Sequence, residues 1–207
     1  MTQYANTPEA AHCVKVAAMI QETIITTQNS AGVAHIAPMG IHVEHANEII
    51  ILPFRPSTTL DNLLATQTAV INYCDDVRIF AGCLTGRRDW PLHAAEKITG
   101  QVLQNTLAHS EVELVSIEED AVRPKLFCKI VHTVNHRPFM GFNRAQFAVL
   151  EAAILVSRLD WLSPEKIALE VEYCRIGLEK TAGERELEAW GWLMAVIAEK
   201  TLRNAHE

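Results

Sequence analysis

The chain has 207 residues, close to half of them hydrophobic, and a formal net charge of −7. That length buries a core without staples, the acidic balance excludes a general nucleic-acid coat, and no apolar run reaches the length of a membrane span. The five cysteines (Cys13, Cys74, Cys83, Cys128 and Cys174) are scattered and never spaced as CxxC, which suits reduced thiols in a cytoplasmic protein better than a disulfide framework or a zinc site.

Residues 1–18 are small and mixed, and they predict a loose lead-in. Met19 to Thr27 is rich in β-branched residues and reads as a strand. Gln28 to Gly32 is turn chemistry, with Gly32 free to take positive φ. Val33 to Val43 is a second strand containing Pro38, which cannot donate to a ladder and points to an edge or a bulge. Glu44 to Asn47 turns the chain, and Glu48 to Phe54 makes a third strand of an antiparallel meander.

The stretch from Leu52 to Leu64 then changes character. Arg55 and three consecutive hydroxyls, Ser57, Thr58 and Thr59, stand between the third strand and a helix over 59–67 whose Leu60, Leu63 and Leu64 share one face. Hydroxyl side chains cap the free N–H groups of a helix start. The same N–H groups and the positive end of the helix dipole favour an anion, and a guanidinium fork suits phosphate oxygens. The residues leave two readings open: a phosphate cradle, or a capped surface helix whose hydroxyls serve only their own backbone.

Ala69 to Tyr73 is a fourth strand. Asp75 and Asp76 are placed to cap a short helix from Val77 to Leu84, followed by a polar connection from Thr85 to Pro91. Glu111 to Ile117 and Leu126 to Val134 alternate as half-buried strands, with a break at Arg123-Pro124. From Asn143 onward the period is helical: Phe147, Leu150, Ile154 and Leu155 share a face, Ser163-Pro164 starts another helix, and Gly183 precedes a last one over 184–203. The fold class is α+β, with a mainly β part over 1–140 and a helical subdomain over 141–207.

No metal site follows from the histidines. His35 and His42 fall on opposite faces of their strand, His45 lies in a turn, and His109, His132 and His136 read as surface or core residues. There is no GxSxG elbow, no Cys–His pair at a familiar spacing, no GxGxxG and no P-loop. Trp190 and Trp192 read as packing residues.

The segments 22–27, 35–40 and 53–59, with Asn62-Leu63, resemble the FMN-binding split-barrel superfamily, whose members are similar to flavin reductases and pyridoxamine phosphate oxidases. Within it the chain most resembles the DUF447 group of archaea and some bacteria, and Asn143-Arg144-Ala145 with 150–155 is similar to that group's helical tail. The resemblance implies an antiparallel split β-barrel with a C-terminal helical subdomain, a homodimer, and FMN near the subunit interface. Carried over by position, Arg55, Ser57, Thr58 and Thr59 would hold the phosphate. His35, Ile36, Ala37, Pro38 and Met39 would run along the isoalloxazine, and Asn72 would stand near the flavin. No catalytic residue is implied, although His35 and His42 are candidates for proton handling. The implied function is an FMN-dependent oxidoreductase acting on a small molecule. The alternatives are a non-catalytic flavin carrier and a flavoprotein of archaeal-type pterin one-carbon metabolism, the latter resting only on the group's distribution.

Overall fold

The computed structural model describes residues 19–45 and 47–204. The expected lead-in over 1–18 and Ala46 of the second turn lie outside the described residues. β1 (Met19–Gln28) and β2 (Ala34–His45) form a long antiparallel ladder, with Met19 opposite Val43 and Gln28 opposite Ala34. The turn between them is held by the Asn29 side chain, which accepts from the amides of Ala31 and Val33, while Gly32 takes a φ of +80°. β3 (Glu48–Ile51), α1 (Thr58–Thr66), β4 (Thr68–Tyr73) and α2 (Val77–Leu84) follow.

Next come β5 (Leu92–Ala94) and β6 (Gln101–Leu103), then β7 (Ala108–Glu118) and β8 (Lys125–Asn135), and finally α3 (Arg144–Val156), α4 (Pro164–Thr181) and α5 (Glu184–Asn204). Six strands close a barrel in the order β1-β2-β3-β8-β7-β4, with β4 returning to β1, and every pairing is antiparallel. The α+β class and the antiparallel barrel with a helical C-terminal part are those expected. The β5–β6 hairpin is an addition that the short, polar-flanked sequence did not announce.

Alternation sorts the side chains of the barrel wall. Ile25, Ile41, Ile49, Ile51, Ile71 and Leu126 point inward, where Leu60 and Leu63 of α1 plug one end of the barrel. Ile24 and Ile36 point outward, onto Ile79, Phe80 and Cys83 of α2. The other side of α2, Val77 and Ala81, meets Ala145, Ala148 and Ala152 of α3 and Ala189 and Leu193 of α5. Small side chains at these positions let the helix axes approach closely, and α2 becomes the seam between barrel and helices.

The third strand ends at Ile51, short of the expected Phe54, and the reason is visible. Pro53 has no N–H for a ladder, Arg123 donates to the carbonyl of Leu52 (2.9 and 3.2 Å), and the Arg55 amide donates to Val122 (2.9 Å). The chain therefore peels away from β2, whose residues before Ile41 pair with β1 alone. Pro38 is tolerated there because that side of the strand is an open edge. The bulge falls elsewhere, between Val43 and His45.

Candidate functional site

Where the chain peels off, it presents its donors. Ser57 is the N-cap of α1 in an extended conformation, and its Oγ accepts from the Leu60 amide at 3.3 Å. Among the described residues, the hydroxyls and backbone amides of Thr58 and Thr59 have no protein partner. The amides are open donors of the kind every helix start leaves, at the positive end of the dipole; Thr58 is exposed, whereas Thr59 is buried. Arg55, next to this group, pairs with Glu119 at 2.9 Å, both side chains being well exposed. Such a surface pair contributes at most about 1 kcal/mol, so the guanidinium can be recruited by a more highly charged anion. Hydroxyls, amides and a guanidinium make a donor set suited to a phosphate monoester.

The segment is held from behind by the hairpin between β7 and β8. Asp120 accepts from the amides of Val122 and Arg123, which shapes the hairpin tip. Arg123 then reaches across to the Leu52 carbonyl and stacks its guanidinium over the Phe54 ring, 4.6 Å from its centroid. With the Arg55 amide on Val122 and the Arg55 side chain on Glu119, the tip grips residues 52–55 at several points. Nothing in the spacing of residues 119–124 relative to 52–55 could announce this clasp.

Beside the cradle lies a cleft of about 300 Å³. Pro38 and Met39 of β2 and Leu52 and Phe54 of the peeled segment form one wall, Leu150, Ala153 and Ile154 of α3 the other, and Phe80 and Leu84 of α2 the back. Its charged lining is Glu22, Arg123 and Arg158. Phe54 joins cleft and cradle, since it lines the first and is bonded to Arg55 of the second.

The expected β2 residues divide. Pro38 and Met39 reach the cleft, whereas Ile36 is sealed beneath α2 and its carbonyl accepts from Arg88 (2.9 Å). His35 and Ala37 stand on the opposite face from Ile36, opposite Thr27 and Ile25. Burial, and then the nearby Arg88 cation, hold His35 below the usual imidazole pKa, so its neutral form is favoured. Asn72 is fully buried. Its amide donates to Ile24 O (3.1 Å) and Thr26 Oγ1 (2.8 Å), while its Oδ1 accepts from the Leu103 amide (2.9 Å). It ties β1, β4 and β6 together and presents nothing to the cleft.

A second polar constellation sits on the outer face of β7 and β8. Glu111, wholly buried, accepts from the amides of Glu96, Lys97 and Ile98 at 2.7, 2.7 and 2.9 Å. His109 Nε2 lies 3.4 Å from Glu111 Oε1, and its Nδ1 lies 2.8 Å from Nε2 of His136, whose ring stacks on that of His109. His93 approaches His136 edge-on, and Nε2 of His132 stands 3.2 Å from a Glu96 carboxylate oxygen, though off the line of a hydrogen bond. Among the described residues no group of donors is arranged to hold a metal ion. The period-two spacing of His109 with Glu111, and of His132 with His136, carried a signal for this cluster once the two strands pair.

Burial disfavours the thiolate form of Cys74, Cys83 and Cys128. Burial pushes Cys74 and Cys128 up to about 12 and Cys83 up to about 11, far from the thiolate range a nucleophile needs.

An antiparallel barrel with open donors at the start of α1 beside a lined cleft defines the class of protein. The chain belongs to the DUF447 family: the family described as "Protein of unknown function (DUF447) N-terminal domain" matches residues 21–137, and the DUF447 family's C-terminal part matches residues 143–195. A protein of the same family from Methanosarcina mazei, described as FMN-bound, is similar in structure at a TM-score of 0.74 and 19% identity, over 86% of this chain and 94% of that one. A candidate flavin reductase with a split barrel domain from Shewanella frigidimarina is similar at a TM-score of 0.51 and 14% identity, over 56% of this chain and 67% of that one. At these identities the likeness establishes the fold.

Proposed function

We propose that this protein binds FMN and acts as an FMN-dependent oxidoreductase on a small molecule. The observation that carries the reading is the junction of cradle and cleft. Donors suited to a phosphate monoester stand at the start of α1, and Phe54 continues from them into a wall suited to a flat ring. The FMN-bound state of the Methanosarcina mazei protein, which shares the fold over most of both chains, supports the choice of ligand.

Thr58, Thr59 and the open amides of α1 would hold the phosphate, with Arg55 exchanging Glu119 for it. Met39, Leu52 and Phe54 would cover the ring and exclude water. The bound flavin supplies the electron chemistry; the protein supplies position and electrostatics. His35, whose neutral form is favoured by burial, and His42 flank that wall in sequence, three residues from Pro38 and from Met39. Free thiols at the four described cysteines fit a reducing, cytoplasmic setting.

Calorimetry with FMN and riboflavin tests the binding. FMN should bind clearly tighter, since riboflavin lacks the phosphate; equal affinities reject the cradle. An anaerobic titration of the loaded protein with NADH and NADPH then tests the reaction. Bleaching supports the oxidoreductase, and persistent yellow colour supports a flavin carrier instead. The same preparation should be a homodimer, because Phe139, Met140 and Phe142 lie exposed beside the seam and Phe142 is 99% accessible. Light scattering that returns a monomer of 23.1 kDa with flavin bound rejects the dimer.

A further inference from the structure

The far wall of the cleft carries a cation that nothing in the fold requires. Arg158 follows directly on Ser157, the C-cap of α3, and lines the cleft together with Leu150, Ala153 and Ile154 one to two turns earlier. Among the described residues its guanidinium has no hydrogen-bond or ion-pair partner. Arg123, the other cation of the cleft, is engaged with the Leu52 carbonyl and the Phe54 ring. Among the described residues Glu22 is the single carboxylate of the lining, so the cleft is positive in a chain whose net charge is −7. A positive recess with apolar walls on an acidic protein concentrates anions locally against the long-range field. An uncommitted fork is suited to bidentate capture of a carboxylate.

We propose that the cleft takes a small organic anion with a flat or apolar body, and that Arg158 is the residue that selects it. The body lies against Leu84, Leu150 and Ile154, and the carboxylate meets Arg158. In the flavin reading, on which this part rests, the anion is the small molecule brought beside FMN, and the C-terminal helices set the substrate specificity of a barrel that holds the cofactor. Binding of the anion itself does not require the flavin, and this separates the two ideas experimentally.

The probes are benzoate and its neutral isostere benzamide, titrated by calorimetry into the full-length protein with and without FMN. Benzoate should bind at least about tenfold tighter than benzamide, as expected for one charge-assisted fork. Arg158→Ala should abolish that preference while leaving FMN affinity and the thermal midpoint unchanged, since among the described residues the side chain makes no hydrogen bond or ion pair. Arg158→Lys should restore part of it, because the charge remains and the fork is lost. Equal binding of the two probes overturns the proposal, as does a preference that survives Arg158→Ala. A parallel loss of FMN affinity in Arg158→Ala also overturns it, since Arg158 would then be a flavin ligand. Benzoate selected through Arg158 by a protein that does not bind FMN upholds the anion site and rejects the flavin reading.

Discussion

Ser57 and Thr58 are adjacent hydroxyls with separable roles. Ser57 Oγ already accepts from the Leu60 amide, so Ser57→Ala should lower stability by about 1 kcal/mol through loss of the cap. Thr58 is exposed and bonds nothing, so Thr58→Ala should leave the thermal midpoint of the apo-protein in place and act only on ligand. A neutral hydrogen bond contributes roughly 0.5–1.5 kcal/mol and one to a charged group roughly 1.5–3 kcal/mol. Arg55→Ala with Thr58→Ala should therefore raise the FMN dissociation constant at least about tenfold. A double variant that loses stability and keeps its affinity would leave this segment a helix cap and nothing more.

The histidine cluster makes stability depend on pH with a definite sign. For Glu111, burial alone would raise the carboxyl pKa. The bonds from the Glu96, Lys97 and Ile98 amides, with His109, outweigh it and hold the group below its ordinary value. Its contribution is present above about 4.5, the unfolded value, and is lost as pH falls through the lower folded one. For His109, burial and the neighbouring His136 and His93 outweigh the attraction of Glu111 and hold the pKa below 6.5. The unfolded chain takes up that proton first, so stability falls as pH drops from 6.5 toward the folded value. The urea midpoint should decline between pH 7 and pH 5, and His109→Gln should flatten the decline. An identical slope in the variant would place the titration elsewhere.

Among the elements, the strand-to-helix passage around residues 52–58 depends on a hairpin tip more than sixty residues away. Arg123→Ala removes both bonds to the Leu52 carbonyl and the stacking on Phe54. Because these residues lie at the surface, the global midpoint should move little. Amide exchange over 54–58 should speed up and FMN affinity should fall, because the donors of α1 are no longer held still. Unchanged exchange would mean that Pro53, which is buried, fixes the segment unaided.

The same passage marks what a sequence can reveal. The meander, the hydroxyl cap and the buried Leu60 and Leu63 of α1 are local patterns that stand where local physics puts them, while Leu64 of the expected face is exposed. Asn72 was placed near the flavin by position within a family pattern, yet its amide is spent on Thr26, Ile24 and Leu103, partners set by barrel closure and by the unforeseen β5–β6 hairpin. Within 35–39, Ile36 turns its side chain under α2 and gives its carbonyl to Arg88, because alternate side chains leave opposite faces of a strand. Arg123, Glu119 and Arg158 were invisible as site residues for the complementary reason: their roles exist only once distant segments pack.

At the scale of the whole molecule, the division near residue 140 is sharper in the sequence than in the packing. α2 precedes that point, yet its Val77 and Ala81 are buried against α3 and α5. Asp76, the buried N-cap of α2, bonds Arg78 at 2.7 Å and lies 3.8 Å from Arg185 of α5, while Arg78 also meets Glu188 at 3.1 Å. Burial disfavours the charge on Asp76, but the bonds from Arg78 prevail and hold its carboxyl below the ordinary range, so the cap stays ionised at neutral pH. Arg87 adds a cation over the Trp192 ring, 4.5 Å from its centroid. A chain truncated after residue 140 would therefore expose the apolar side of α2, leave Asp76 with fewer counter-charges and remove the far wall of the cleft. Each fully buried aliphatic side chain left without cover forfeits about 1.5–3 kcal/mol, and a loss of several such contacts rivals the 5–15 kcal/mol by which domains are stable. The truncated barrel should aggregate or melt well below the full chain. Co-expressed residues 141–207 should restore solubility by covering α2 again. A soluble 1–140 fragment with the full-length midpoint would show that the barrel is self-sufficient and that the helices serve only the cleft.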